Sequence, residues 1–183
     1  MLSSRWSFDY FFYFLEAKMN NKIKKMAFSA MIAAIYFLMC FVQQGFASNV
    51  IQCRLSEGLT ILPLFFPEAI IGVTIGCLFF NLIQGSVYDV IFGTLATLCA
   101  ALCTHYIGKH IKNNTLKFIV GALFPVLFNA FIVPFVLISG SGATEGYFYL
   151  VLTVGIGQLI ACYVFGYITY FAAKHIIFKH VIK

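Results

Sequence analysis

Lysine and arginine stop at Lys25 and, apart from Arg54, do not resume until Lys109; none occurs between Lys117 and Lys174. The sequence between these groups is almost continuously apolar. A charge at the centre of a bilayer costs from about 2.5 to more than 10 kcal/mol, so this spacing restricts the chain to membrane-spanning folds. The composition agrees. The chain is 62% hydrophobic and 10% charged, with a mean hydropathy of +0.95. A soluble domain is about half apolar and about a quarter charged. The 183 residues accommodate about six spans of roughly 20 residues each. That leaves no room for a separate soluble domain. The net charge of +6 sits at the ends of apolar runs, which is the positive-inside pattern and not a nucleic-acid surface. No GxxxxGK[ST] motif occurs. Uphill transport by this chain therefore needs an ATPase on another chain, or an ion gradient.

The lysine groups set an expected topology: an all-α integral membrane protein with six transmembrane helices and both termini cytoplasmic. Residues 1–18 read as an N-terminal extension, because Met19 opens a basic leader containing Lys22, Lys24 and Lys25. The alternative is an amphipathic surface helix. Residues 19–183 read as a single transmembrane domain. Its spans are expected at about 26–47, 51–66, 68–84, 89–107, 116–138 and 147–173. QQGFASNVIQ, Gly85-Ser86 and SGSGATEGY then face outside. Ala30 and Ala34 on the first span, and Gly72 and Gly76 on the third, are small residues four apart, a spacing that lets helix backbones approach closely. For the alanine pair the partner is either another span of this chain or another subunit. Six cysteines without a CxxC read as buried apolar thiols, and no metal site is expected.

The stretch from Arg54 to Thr97 carries Glu57, Glu68 and Asp89, half of the six acidic residues in the chain. Under the expected topology Arg54, Glu57, Asn81, Gln84, Tyr88, Asp89 and Glu145 gather toward the external side. A few placed polar groups among aromatic and aliphatic side chains suit a small-molecule pocket. Each has a plainer explanation. Arg54 and Glu57, three apart, can neutralise each other. Asp89 suits the positive end of a helix dipole. Asn129 and Gln158 suit interhelical hydrogen bonding. Glu145 suits a solvated loop. Glu68 is expected at the cytoplasmic end of the third span, away from the cup. No GxSxG or HExxH occurs, and no serine or cysteine shares a membrane depth with a histidine, so no catalysis and no cofactor are expected.

The run RLSEGLTILPLFFPEAIIGVTIGC, followed by N-L-I-Q-G-x-x-x-D-V-I-F-G-T-L-A-T, resembles the QueT-type queuosine-precursor membrane proteins. These are similar to the substrate-binding S components of energy-coupling factor (ECF) transporters. The resemblance covers roughly Lys24 to Lys174. It implies an S-component-like six-helix fold with a ligand cup near the outer face. It also implies partners: a transmembrane T component and two ATPase subunits. Ala30 and Ala34 match one repeat of the alanine face that docks the T component in such proteins, with Met26 standing where a further alanine would extend it. The implied ligand is a 7-deazaguanine, such as the 7-aminomethyl compound or queuine. Its guanine edge offers two donors to one carboxylate. Its amine wants a second carboxylate, from among Glu57, Asp89 and Glu145. Arg54 suits the O6 carbonyl, and Tyr88, Tyr147 or Phe148 offer stacking surface. The competing expectations are a proton-coupled secondary transporter working through Glu57 or Asp89, an S component for another vitamin-like ligand, and a membrane subunit whose polar residues merely pack.

Overall fold

The computed structural model describes residues 21–44 and 54–181. The N-terminal extension and most of the expected first external loop lie outside these residues. Every element among the described residues is helical. In chain order they are α1 (Asn21–Gln44), a 3₁₀ helix (Leu55–Leu64), α2 (Glu68–Gln84), a π turn (Asp89–Gly93) running into α3 (Thr94–His110), α4 (Asn114–Ser141), and α5 (Tyr147–Leu159). A second π segment (Ile160–Phe165) joins α5 to α6 (Gly166–Val181).

Among the described residues, four continuous helical stretches are long and apolar enough to cross a membrane: Asn21–Gln43, Asp89–His110, Asn114–Gly140 and Tyr147–His175. Leu55–Leu64 and Glu68–Ile83 are shorter apolar helices. The surface has the polarity expected for lipid. Phe148, Val87, Met26 and Leu152 are exposed, whereas Ser56, Glu57, Thr60, Asn81, Thr97, Thr104, Asn129 and Gln158 are buried. Helices that turn large apolar side chains outward and polar ones inward are stable in hydrocarbon, where every polar group needs an internal partner.

The described part of the expected second span, Leu55–Leu64, is a 3₁₀ helix at the centre of the molecule. It packs against α1, α2, α3, α4, α6 and the second π segment. Ser56, Glu57, Gly58, Thr60, Ile61, Pro63 and Leu64 are buried. A 3₁₀ helix rises about 2.0 Å per residue and is narrower than an α-helix. Glycines let it be approached from two sides. A Cβ on Gly58 would lie 3.0 Å from the Phe165 carbonyl carbon, and one on Gly108 of α3 would lie 2.3 Å from the Leu64 oxygen. In both places backbone meets backbone, so neither neighbour can yield by changing rotamer. Gly108→Ala is therefore expected to destabilise the fold by about 1–3 kcal/mol, the usual cost of overpacking. The check is thermal unfolding in detergent; an unchanged midpoint would mean that α3 and the 3₁₀ helix are not held this tightly.

The glycines of α2 work the same way. Cβ atoms on Gly72 and Gly76 would lie 2.8 Å from Ser29 O and 2.7 Å from Ala33 O of α1. The α1–α2 pair is the result, and its core holds Ile32, Tyr36, Cys40, Ala69, Val73 and Cys77. Proline in α4 has a matched donor. Pro125 has no N–H for the Gly121 carbonyl, one turn earlier, and the Thr104 hydroxyl donates to that oxygen at 3.0 Å. At the start of α4 the Asn113 side chain accepts from the Thr115 and Leu116 N–H groups, and at its end Gly142 takes the left-handed conformation (φ 67°).

Candidate ligand site and partner groove

Every polar atom of Glu57 is held. Its N–H donates to Arg54 O at 3.0 Å. Its carbonyl accepts from the Thr60 hydroxyl at 2.5 Å and from the Cys162 thiol at 3.9 Å. The Tyr36 hydroxyl of α1 donates to Oε1 at 2.6 Å, and the Asn129 amide of α4 donates to Oε2 at 3.1 Å. Glu57 is 1% exposed, Tyr36 0% and Asn129 3%, so these bonds are formed away from solvent. Two donors on one buried carboxylate offset much of the cost of placing it there.

Around this centre the Cys40 thiol donates to the Ser56 hydroxyl at 2.9 Å. Gln158 is buried beside Cys162, whose single thiol proton is shared between Gln158 Oε1, at 3.8 Å, and the Glu57 carbonyl. Leu55 N donates to the Gln43 side chain at 2.6 Å, tying the start of the 3₁₀ helix to α1.

Arg54 makes no ion pair with Glu57. It is the N-cap of the 3₁₀ helix, with extended backbone (φ −88°, ψ 107°), so three-residue spacing does not put it on the same face. Its guanidinium lies over the Phe80 ring, 5.7 Å from the centroid, a cation–π placement. Phe80 belongs to α2, one residue before Asn81.

Asn81 and Asp89 have local partners. The Asn81 amide, 1% exposed, donates to the Asp89 carbonyl at 2.9 Å. It also lies 3.4 Å from Thr94 Oγ1 and from Cys77 Sγ. A π turn departs from the regular i→i+4 ladder, and Asn81 supplies a donor where it does so. Asp89 closes a capping box. Its Oδ2 accepts from Ser86 N and Ser86 Oγ, both at 2.9 Å, while Ser86 Oγ accepts from Asp89 N at 3.3 Å.

Tyr88 is exposed; it stacks on Phe92 and meets Phe135 edge to face. Glu145 is exposed in the short connection between α4 and α5. Gln84 is the last residue of α2, and its side chain lies outside what is described. Arg54, Glu57, Asn81 and Asp89 thus sit on or beside the 3₁₀ helix, α2 and the π turn, but apart from the backbone bond from Glu57 N to Arg54 O, hydrogen bonds within that set join only Asn81 to Asp89. The residues that bond Glu57, Tyr36 and Asn129, were not among the expected site residues. Asn129 carried a signal, as an amide inside an apolar span. Tyr36, one of ten tyrosines, carried none.

Glu68 lies at the lysine-rich end of the bundle. It pairs with Lys25 at 3.1 Å, and its carbonyl accepts from the Ser29 hydroxyl at 2.8 Å. This pair marks one end of an open groove of about 860 Å³ between α1 and α2. Ala30, Ala33, Ala34, Ile71, Ile75 and Phe79 line its length. Ala30 and Ala34 are exposed, whereas Ile32, Ala33, Tyr36 and Cys40 form the buried face of the same helix. Among the described residues the alanine pair is therefore not covered by another span. It leaves a shallow, apolar, small-residue surface facing out of the bundle.

No curated protein and no solved structure matches the chain. A family model described as QueT transporter matches residues 26–175, from the start of α1 into α6 and across both the Glu57 centre and the alanine groove. With most of its length matched, including all or most of each of the four long apolar stretches, the chain is a multi-pass membrane protein that belongs to the QueT transporter family.

Proposed function

We propose that this chain is the substrate-binding subunit of an ECF-type importer for a queuosine precursor, a 7-deazaguanine such as the 7-aminomethyl compound or queuine. A T component and two ATPase subunits energise it, and the chain crosses the membrane six times with both termini cytoplasmic. The buried Glu57 carboxylate supports the ligand assignment best. A fixed acceptor pair inside an apolar bundle is what a flat, donor-rich heterocycle needs and what hydrocarbon packing alone does not. Arg54 beside it is suited to the carbonyl oxygen of the ring. Asp89, half-buried and with one oxygen committed to Ser86, is the second carboxylate, for the cationic arm; Asn81 holds its backbone in place. Glu145 and Tyr88 stand at the same end of the helices and form the outer rim, and Gln84 ends α2 on that side. Because Glu57 is 1% exposed, ligand entry has to part the residues that cover it.

The exposed Ala30–Ala34 groove supports the partner assignment, with the Lys25–Glu68 pair at its cytoplasmic end. Vesicles holding the chain alone are expected to bind labelled 7-aminomethyl-7-deazaguanine without accumulating it. ATP-dependent uptake should appear when the T component and ATPases are present. Uptake driven by a proton gradient in vesicles holding the chain alone would overturn this reading in favour of a proton-coupled carrier.

A further inference from the structure

We infer that Tyr36 and Asn129 are positioning residues that make Glu57 selective for a ring edge with two adjacent N–H donors. The inference rests on the reading above that the ligand is a 7-deazaguanine, and it names the residues that read its amino-bearing edge.

The geometry carries it. An ionised carboxylate offers about four lone-pair sites, two on each oxygen. Here one site on each oxygen is taken, by donors from opposite sides of the bundle: Tyr36 on α1 to Oε1 and Asn129 on α4 to Oε2. That leaves one acceptor site on each oxygen. Two parallel acceptors match an N1–H next to an exocyclic amino group, and they face an adenine-type N1, itself an acceptor, with repulsion. The backbone of Glu57 is held at both ends by Arg54, Thr60 and Cys162, so the carboxylate cannot follow a misplaced ligand by shifting its main chain. A carboxylate with a single partner would be free to rotate about its last torsion. With one donor on each oxygen its plane is set, and two-point recognition depends on that plane. A site built around such bonds rejects an analogue that lacks one donor, because a buried acceptor is then left unpaired.

The test compares two probes, 7-aminomethyl-7-deazaguanine and its 2-deamino counterpart with the same arm and one donor fewer. Titration calorimetry of the detergent-solubilised full chain gives the ratio of their dissociation constants. The wild type is expected to prefer the amino-bearing probe by about tenfold or more. In Tyr36→Phe the ring and its packing stay while the hydroxyl goes. Affinity for the amino-bearing probe should fall about tenfold, affinity for the deamino probe should change little, and the ratio should approach one. Asn129→Leu should do the same through the other oxygen. Thermal unfolding without ligand identifies a variant that fails to fold, and Tyr36→Phe, which disturbs the core least, then carries the test.

A ratio that stays at the wild-type value in folded Tyr36→Phe would overturn the inference, as would equal loss for both probes. So would a wild type that binds the two probes alike. In all of these cases the chain still binds a deazaguanine and the proposed function stands. A wild type that binds neither probe removes the proposed function, and the inference with it.

Discussion

Glu57→Gln is expected to bind 7-aminomethyl-7-deazaguanine about ten to a hundredfold more weakly than the wild type, while folding normally. The loss corresponds to one charge-assisted hydrogen bond, about 1.5–3 kcal/mol. Folding should persist because glutamine keeps the length of the side chain and can keep both partners. The Tyr36 hydroxyl can rotate, and the Asn129 amide can turn its oxygen toward the new NH₂ group. An Arg54–Glu57 ion pair would have led to a different result, in which the neutral variant strands a buried arginine and lowers folded yield. The guanidinium lies over Phe80 instead and acts on Glu57 only through space, so a smaller penalty is expected. Asp89→Asn provides the contrast. If Asp89 faces the amine, its neutral variant should lose the preference for the aminomethyl compound over an uncharged 7-methyl analogue, whereas Glu57→Gln weakens both alike. Isothermal titration of both variants against both ligands reads this out. Unchanged affinity in folded Glu57→Gln would remove that carboxylate from the site.

Replacing Ala30 and Ala34 together with leucine should reduce ATP-driven uptake by about tenfold or more and leave ligand binding by the isolated chain intact. Both alanines line the outward groove beside Ile71, Ile75 and Phe79. Leucine there fills the space a partner helix would occupy, and overpacking a helix interface costs about 1–3 kcal/mol. Binding should survive because Tyr36, the residue of α1 that reaches Glu57, lies on the buried face of the helix with Ile32 and Ala33. The two measurements must be made on the same preparation. Full uptake in the double variant would show that no partner seats on this groove. Equal loss of binding and uptake would show that the substitutions act inside the bundle.

These expectations rest on different levels of information. Several helix positions were legible because apolar runs and the lysines that bound them can be read along the chain. A helix was expected at 68–84 and α2 is Glu68–Gln84; another was expected at 116–138 and α4 is Asn114–Ser141. The Gly72–Gly76 contact was legible too, since a missing Cβ every fourth residue has one common use in a membrane helix. The second span was not. LSEGLTILPL is apolar enough for any buried helix, and a run of ten residues does not distinguish a 3₁₀ helix from an α-helix. Its narrow form depends on Phe165 and Leu64 meeting Gly58 and Gly108, contacts between segments distant in the chain.

The site divides in the same way. Single charged residues stand out in apolar sequence because burying them is costly, so Arg54, Glu57 and Asp89 were visible as residues that need partners. Which partners they take was not visible. Asp89 is capped from Ser86, three residues away, a local bond that its S-x-x-D spacing already permits. Glu57 is bonded from Tyr36 and Asn129, 21 and 72 residues away. Hydropathy acts residue by residue along the chain and can be read there. A hydrogen bond between helices depends on their rotation and depth, and those are set only when all the helices pack around the 3₁₀ helix.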